Sequence, residues 1–387
     1  MPFDRSTVTT AEIDAMLTAT AASRLMNGKN KVAFTGNVRT PTLNMMRGAS
    51  KSNATPVRGA YRCHFSPPRG QRMQAISGRD IHTFRSVDTL FDVDFGVGRV
   101  HLGDEWIHQQ IEEAGVELDH EEASVTIVGK IDVTKGGWWT KGADKFEVLV
   151  SLADTKLQAL ELNYVQELNK LFWRSNITDQ KLWQGFDAVF PRSSNTTGPV
   201  GNKNRSNPTL RHQLLPIANT ADMELKVDDL RFLCNKRIGD GSMVNLVPVG
   251  RSFYNAVKER MITGSNAVST PRLFRNYDNA RQEAETAKQK LGFGFPDDSI
   301  YLAGVGLMYV EPCWEDLDRE DAPAILWEKS AALINTDHVS FRPTKNRDGL
   351  KKIHATPYNQ WVTRISLYGE YAFMADWLDC HGVTYIP

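Results

Sequence analysis

The sequence predicts an α+β fold built on one long helical spine, with an N-terminal arm and an extended hairpin set off from the rest. Three observations predict it. Apolar or aromatic residues recur at Phe146, Leu149, Ala153, Leu157, Leu160, Tyr164, Leu168 and Leu171, a spacing of three or four that fixes one face of an α-helix. Before that helix the chain is polar and turn-rich, with short β-like runs. Beyond Pro216 strand-like and helix-like patterns alternate.

The arm comes first. Thr9 with Glu12 fits a capping box that opens a helix from Ala11 to Met26, and Asn27-Gly28-Lys29-Asn30 stops it. From Asn37 to Pro56 there is little periodicity and much Thr, Asn, Ser and Arg, a composition that needs a neighbour to order it. Residues 58 to 102 alternate β-like runs, Tyr61 to Phe65 and Val97 to Leu102, with turns at Pro67-Pro68-Arg69-Gly70 and Ser77-Gly78-Arg79-Asp80. An elongated hairpin fits this better than a compact domain. Asp104 to Ala114 then reads as a helix and Ser124 to Val133 as a strand.

The spine runs from Lys145 to Trp173 without Pro or Gly, roughly 40 Å at about 1.5 Å per residue. It closes on Phe172-Trp173-Arg174. Leu182-Trp183-Gln184-Gly185-Phe186-Asp187 follows as a short buried segment, and Thr196-Thr197-Gly198-Pro199-Val200-Gly201-Asn202-Lys203-Asn204-Arg205 as a Gly-rich turn. Further on, Asp222 to Cys234 is helical, Met243 to Val249 is a buried strand, and Arg251 to Met261 is a helix with Phe253, Val257 and Met261 on one face. Ile300 to Val310 and Ala324 to Ile334 read as strands, and Gln360 to Trp377 as a long closing segment.

Composition excludes several classes. The 46 basic and 46 acidic residues balance, so net charge points to no nucleic-acid or membrane partner. The distribution is uneven: residues 1 to 80 hold twelve Lys or Arg against four Asp or Glu, and residues 92 to 122 hold ten acidic residues against Arg99 alone. Cys63, Cys234, Cys313 and Cys380 lie far apart with no CxxC pair, which fits a reduced cytoplasmic chain with neither a thiolate metal site nor a disulfide framework. No run approaches the roughly 20 apolar residues of a membrane helix.

No catalytic constellation emerges. Cys380-His381 reads as a terminal strand with a buried thiol and a polar edge residue, since a catalytic Cys meets its His across space. Gly239-Asp240-Gly241-Ser242 lacks the Lys and spacing of a phosphate loop. Gly96-x-Gly98 and Gly304-x-Gly306 lack a third Gly, and inside strand-like runs Gly marks a bulge or close packing. His101 and His108 with Asp104 and Glu105 read as a solvated helix face. No cofactor or metal is expected. Trp138-Trp139 after Gly136-Gly137 is assigned to a subunit contact, because adjacent strand residues point to opposite faces.

The layout resembles the major capsid proteins of tailed bacteriophages: the spine, the segment from Leu182, the Gly-rich turn and the Arg-bearing return come in that order. Upstream, Thr83-Phe84-Arg85-Ser86-Val87-Asp88-Thr89-Leu90-Phe91-Asp92-Val93-Asp94-Phe95 leads into Gly103-Asp104-Glu105-Trp106-Ile107. Downstream, Arg364-Ile365-Ser366-Leu367-Tyr368-Gly369-Glu370-Tyr371-Ala372-Phe373 and His381-Gly382-Val383-Thr384 are similar to that family's closing strands. The resemblance implies a Hong Kong 97-like capsid fold: an arm at 1–57, an extended loop at 58–102, a peripheral domain at 103–220 with the spine at 145–173 and strands after 325, and an axial domain at 221–324 with the C-terminal end to 387. It further implies a virion protein, assembled in the host cytoplasm into pentamers and hexamers of an icosahedral shell around double-stranded DNA. A portal and a separate scaffolding protein are implied partners, the latter because the arm starts almost at Met1. An encapsulin-like shell and a cytoplasmic α/β enzyme with an oligomerisation arm remain the alternatives. The charge asymmetry adds an expectation of its own. Arg58, Arg62, Arg69, Arg72 and Arg79 would cross to Glu112, Glu113, Glu117 and Glu121 of an adjacent subunit, and the arm is left free to face DNA.

Overall fold

The computed structural model describes residues 40–48, 60–65, 91–107, 118–119, 126–127, 159–179, 181–235, 243–264, 277–291, 295–296, 298–344, 347–354 and 362–387. In chain order the elements are α1 (Pro41–Gly48), β1 (Ala60–Phe65), β2 (Phe91–Gly96), β3 (Gly98–Ile107), β4 (Leu118–Asp119), β5 (Thr126–Ile127), then α2, which is helical over 159–173. There follow α3 (Phe186–Val189), β6 (Pro199–Val200), β7 (Lys203–Asn204), β8 (Gln213–Pro216), α4 (Met223–Asn235), β9 (Leu246–Val249), α5 (Arg251–Gly264) and α6 (Tyr277–Leu291). The last are β10 (Ile300–Leu302), β11 (Gly306–Val310), α7 (Trp314–Asp321), β12 (Ser330–Leu333), β13 (Val339–Pro343), β14 (Leu350–His354), β15 (Val362–Ala375) and β16 (Gly382–Tyr385). Contacts divide the chain into two compact units: Met1–Val38 with Val100–Glu167 and Asn346–Gly369, and Arg39–Arg99 with Leu168–Lys345 and Glu370–Pro387.

The second unit contains a six-stranded mixed sheet in the order β10-β11-β9-β12-β16-β8. Strand β9 lies parallel to β11 and antiparallel to β12, and all four of its residues are buried. A continuous apolar run suits a strand covered on both faces. Helix α4 buries Met223, Val227, Leu230 and Cys234, and α5 buries Phe253, Val257 and Met261, all in the same cluster as Val247, Val249, Met308 and Leu333. Each large side chain buried in this way contributes about 1.5–3 kcal/mol. A Cβ at Gly250 would sit 2.2 Å from the Glu328 carbonyl oxygen, so only Gly lets the turn from β9 into α5 pass beneath that loop.

A second core in this unit gathers around the C-terminal end of α2. Phe172 meets Trp173, Phe341 and Phe373 edge-on at 5.0, 5.5 and 5.3 Å, and Trp173 meets Trp314 at 5.0 Å. Such edge-to-face geometry places the positive ring edge on a negative face. Phe341 and Phe373 are paired residues of the β13–β15 ladder. The helix ends where Asn176 adopts a left-handed conformation, φ 53°, and its amide donates to the Leu171 carbonyl at 2.7 Å. In the first unit β14 pairs with β15 from Leu350↔Tyr368 to His354↔Arg364, and Leu160, Tyr164 and Val165 of α2 are buried.

Several expectations need correction. Residues 104–107 are strand, not helix: β3 runs on to Ile107 because it ladders with β15. Ile300 to Val310 is two strands, β10 and β11, folded back at Gly304 (φ 73°) and Gly306 (φ 128°), so these glycines turn a hairpin. Pro41–Gly48, inside the supposedly unstructured arm, is a helix that buries Leu43, Met45 and Met46 on its own unit. Leu171 is only half-buried, and the α2 face continues from Leu168 to Phe172. His381 is buried, not an edge residue, because it packs 4.8 Å from Phe190 and its Nδ1 accepts the Asn335 amide. Helices α6 and α7 had no counterpart in the sequence reading. The helix at Ala11 to Met26, the Gly239 turn, His108 and the first half of the spine lie outside the described residues.

Candidate assembly site

Of the residues assigned to subunit contact, Arg62 is described; Arg58, Arg69, Arg72, Arg79, Glu112, Glu113, Glu117, Glu121, Trp138 and Trp139 lie outside the described residues. Arg62 stands opposite Asp94 in the β1–β2 register, its Nε 2.9 Å from Asp94 Oδ1 and its NH1 3.4 Å from Asp92 Oδ2. At this position the basic and acidic regions meet within one chain. Alternation puts Tyr61, Cys63, Val93 and Phe95 on the other, buried face.

The hairpin is rooted on the loop after α2. Asp94 accepts from the Asn202 amide and its backbone N–H donates back to Asn202 Oδ1, both at 3.1 Å. Gln184 in turn clasps Gly201 through both its amide donor (3.1 Å) and its acceptor (2.7 Å). Gly201 has φ 56°, and a Cβ there would lie 2.6 Å from the Asp94 carbonyl. A Cβ on Gly98 would lie 2.2 Å from the Trp183 nitrogen. Next to it, the Arg99 amide donates to Lys181 and the Arg99 guanidinium meets the buried Glu370 at 2.8 Å. Gly98 therefore serves close packing, as its position in a strand suggests, whereas a Cβ on Gly96 would meet nothing within 4 Å.

Helix α1 has Pro41 at its first position, where the missing N–H is harmless and φ is preset. It anchors through one polar cluster. The Thr42 hydroxyl donates to Glu311 Oε2 at 2.5 Å and also contacts the Tyr309 hydroxyl. Asn169 of α2 donates to Glu311 Oε1 at 3.1 Å, and Cys313 Sγ lies 3.8 Å from the same oxygen. Burial pushes the Glu311 carboxyl up to about 7, although the Thr42, Asn169 and Cys313 bonds pull it down. The sequence reading missed Thr42, Asn169 and Glu311. Their one visible signal is a single acid closing the buried run Leu307–Val310.

A third polar point locks the Gly-rich turn. Arg205 is fully buried and donates to the Ala188 and Val189 carbonyls, both at 2.5 Å, to the Leu210 carbonyl, and to His212 Nδ1 at 3.3 Å. Burial lowers its pKa to about 10, so it stays charged at neutral pH, and burial with the nearby Arg205 charge lowers His212 to about 3. Arg174 forks onto Asp321, and with Lys170 onto Glu320, tying α2 to α7.

This arrangement positions chain segments. Among the described residues no group of three or more His, Cys, Asp or Glu is placed to hold a metal, and no helix is long and apolar enough to cross a membrane. The four cysteines are free and buried, and burial raises the Cys63 thiol to about 12.

No protein-family profile and no curated protein matches the chain. Among solved structures, a chain from the capsid of Myoviridae phage XM1 superposes with TM-score 0.50 at 9% identity, covering 92% of this chain and 94% of that one. Chains from Gordonia phage Cozz (TM-score 0.47, 8% identity, 92% and 89% covered) and Mycobacterium phage Ogopogo (0.45, 11%, 92% and 95%) are also similar. The fold of this chain is that of the phage XM1 capsid chain, the Hong Kong 97-like architecture that the sequence predicted.

Proposed function

We propose that this chain is the major capsid protein of a tailed phage, which assembles with copies of itself into the shell of the head around double-stranded DNA. The carrying observation is the shared fold over more than nine-tenths of both chains with a phage capsid chain. The anchored arm helix and rooted hairpin support it, since both hold the ends of the stretches that the sequence reads as an arm and an extended loop. In this reading the arm is 1–57, the extended loop 58–102, the peripheral domain 103–220 with strands after 325, and the axial domain 221–324 with the C-terminal end. A scaffolding protein and a portal complete the assembly, and the shell is built in the host cytoplasm.

The test is the particle. Purified protein, alone and with its phage's scaffolding protein, is examined by negative-stain microscopy and sedimentation. Closed shells tens of nanometres across are expected, and shells from phage lysates should hold DNA. A small closed oligomer would instead favour an enzyme, and shells filled with protein cargo would favour an encapsulin.

A further inference from the structure

Glu311 is a fully buried carboxyl at the meeting of three elements. Thr42 reaches it from α1 and Asn169 from α2, and Tyr309 and Cys313 flank it on its own segment. Among the described residues no Lys, Arg or His is bonded to it. Arg47, the cation of α1, instead lies 5.9 Å over the Tyr371 ring. Asp316, on the following helix, acts on Cys313 and would add only negative charge.

We propose that Glu311 is a proton-controlled latch for the N-terminal segment: protonated it holds α1 against β11 and α2, and ionised it loosens that docking. In the neutral form Oε2–H donates to Thr42 Oγ1, whose own hydrogen passes to the Tyr309 oxygen, while Oε1 keeps the Asn169 donor. Both carboxyl oxygens are then bonded without a net charge. In the ionised form the same cavity must hold a full charge with the Thr42, Asn169 and Cys313 donors and no cation bonded to it, and release of α1 with entry of water relieves that cost. The carboxyl is raised from its ordinary 4.5 to about 7. A raised carboxyl binds its proton more tightly docked than undocked, so docking is strongest below about 4.5 and weakens as pH rises through about 7. The inference stands on the packing of one chain and does not rest on the capsid reading.

Amide hydrogen exchange on the full-length chain tests it, with rates corrected for intrinsic pH dependence. Protection of α1 relative to α5 is expected to fall about tenfold or more between about pH 5.5 and about pH 8. Glu311→Gln, neutral and of the same shape, should make α1 protection independent of pH. Parallel behaviour of α1 and α5 in the wild-type chain would overturn the latch, as would an undiminished pH dependence in Glu311→Gln. Should that variant not fold, Thr42→Val keeps the carboxyl and cuts its link to α1. It should reduce α1 protection at about pH 5.5 to the level of about pH 8, and unchanged protection also overturns the proposal.

Discussion

Arg205 shows how one residue organises a turn. Its guanidinium satisfies the last carbonyls of α3 and the Leu210 carbonyl, groups that have no water to turn to. Arg205→Met fills the same space but strands them, at about 1–3 kcal/mol for each unsatisfied group. The expected outcome is a urea midpoint lowered by about 3 kcal/mol of stability, with Lys unable to restore it because an ammonium lacks the planar fork. A wild-type midpoint in either variant would mean that the turn is held by other contacts. His212 carries the pH prediction at this scale. Its pKa is depressed from 6.5 to about 3 and that of buried His381 also lies well below its ordinary value. Their contribution is complete above 6.5 and is lost as pH falls towards 3, opposite in sign to Glu311. His212→Gln keeps an acceptor for Arg205 and removes one proton, so stability measured from about pH 6.5 down to about pH 4 should fall less steeply than in the parent. Parallel curves would exclude His212 as a source of acid lability.

Among the elements, α2 contributes most, because Leu168, Phe172 and Trp173 seed the aromatic core while Lys170 and Arg174 hold α7. Leu168→Pro removes a helix hydrogen bond and clashes with the preceding turn, costing about 3 kcal/mol or more. Insoluble subunit or a loss of helical circular dichroism is expected; a variant that melts like the parent would show that the helix need not continue through this point. The elements also show what a pattern reveals. Helix α5 was legible because Phe253, Val257 and Met261 repeat at helical spacing with large apolar side chains. Helix α6 was not, because its buried positions include only Ala280 and Ala284, too small to stand out from a polar surround. Strand β3 was misread past Gly103 because the decisive partner, β15, lies more than 250 residues on.

At the scale of the whole molecule, the contact proposed between the basic and acidic stretches of the first 122 residues is expected to make assembly sensitive to salt. Exposed pairs contribute only about 0–1 kcal/mol each, but they recur at every contact of a shell, and screening shortens to roughly 3 Å at 1 M ionic strength. Arg69, Arg72 and Arg79 reversed to Glu should lower particle yield at low salt, and Lys at Glu113, Glu117 and Glu121 should partly recover it. Equal yields from the triple and sextuple variants would show that the two regions do not meet. Arg62, already engaged by Asp92 and Asp94 of its own chain, should tolerate reversal worse in the subunit than in the contact.

The sequence by itself determined the C-terminal half of the spine, the sheet strands flanked by Gly turns, the first strand of the hairpin and the order in which they come, because each rests on a local period or a turn residue that a short window contains. It also placed the chain among capsid-like folds through that order. Tertiary structure alone decided the anchorage. Thr42, Asn169 and Glu311 are separated by more than a hundred residues from one another, and a Thr, an Asn and a Glu read singly are ordinary surface residues. Gly98 and Gly201 likewise look like loop glycines until Trp183 and Asp94 are packed against them. Burial made these residues matter: a polar group or a bare Cα has consequences only once folding removes the water or the space around it.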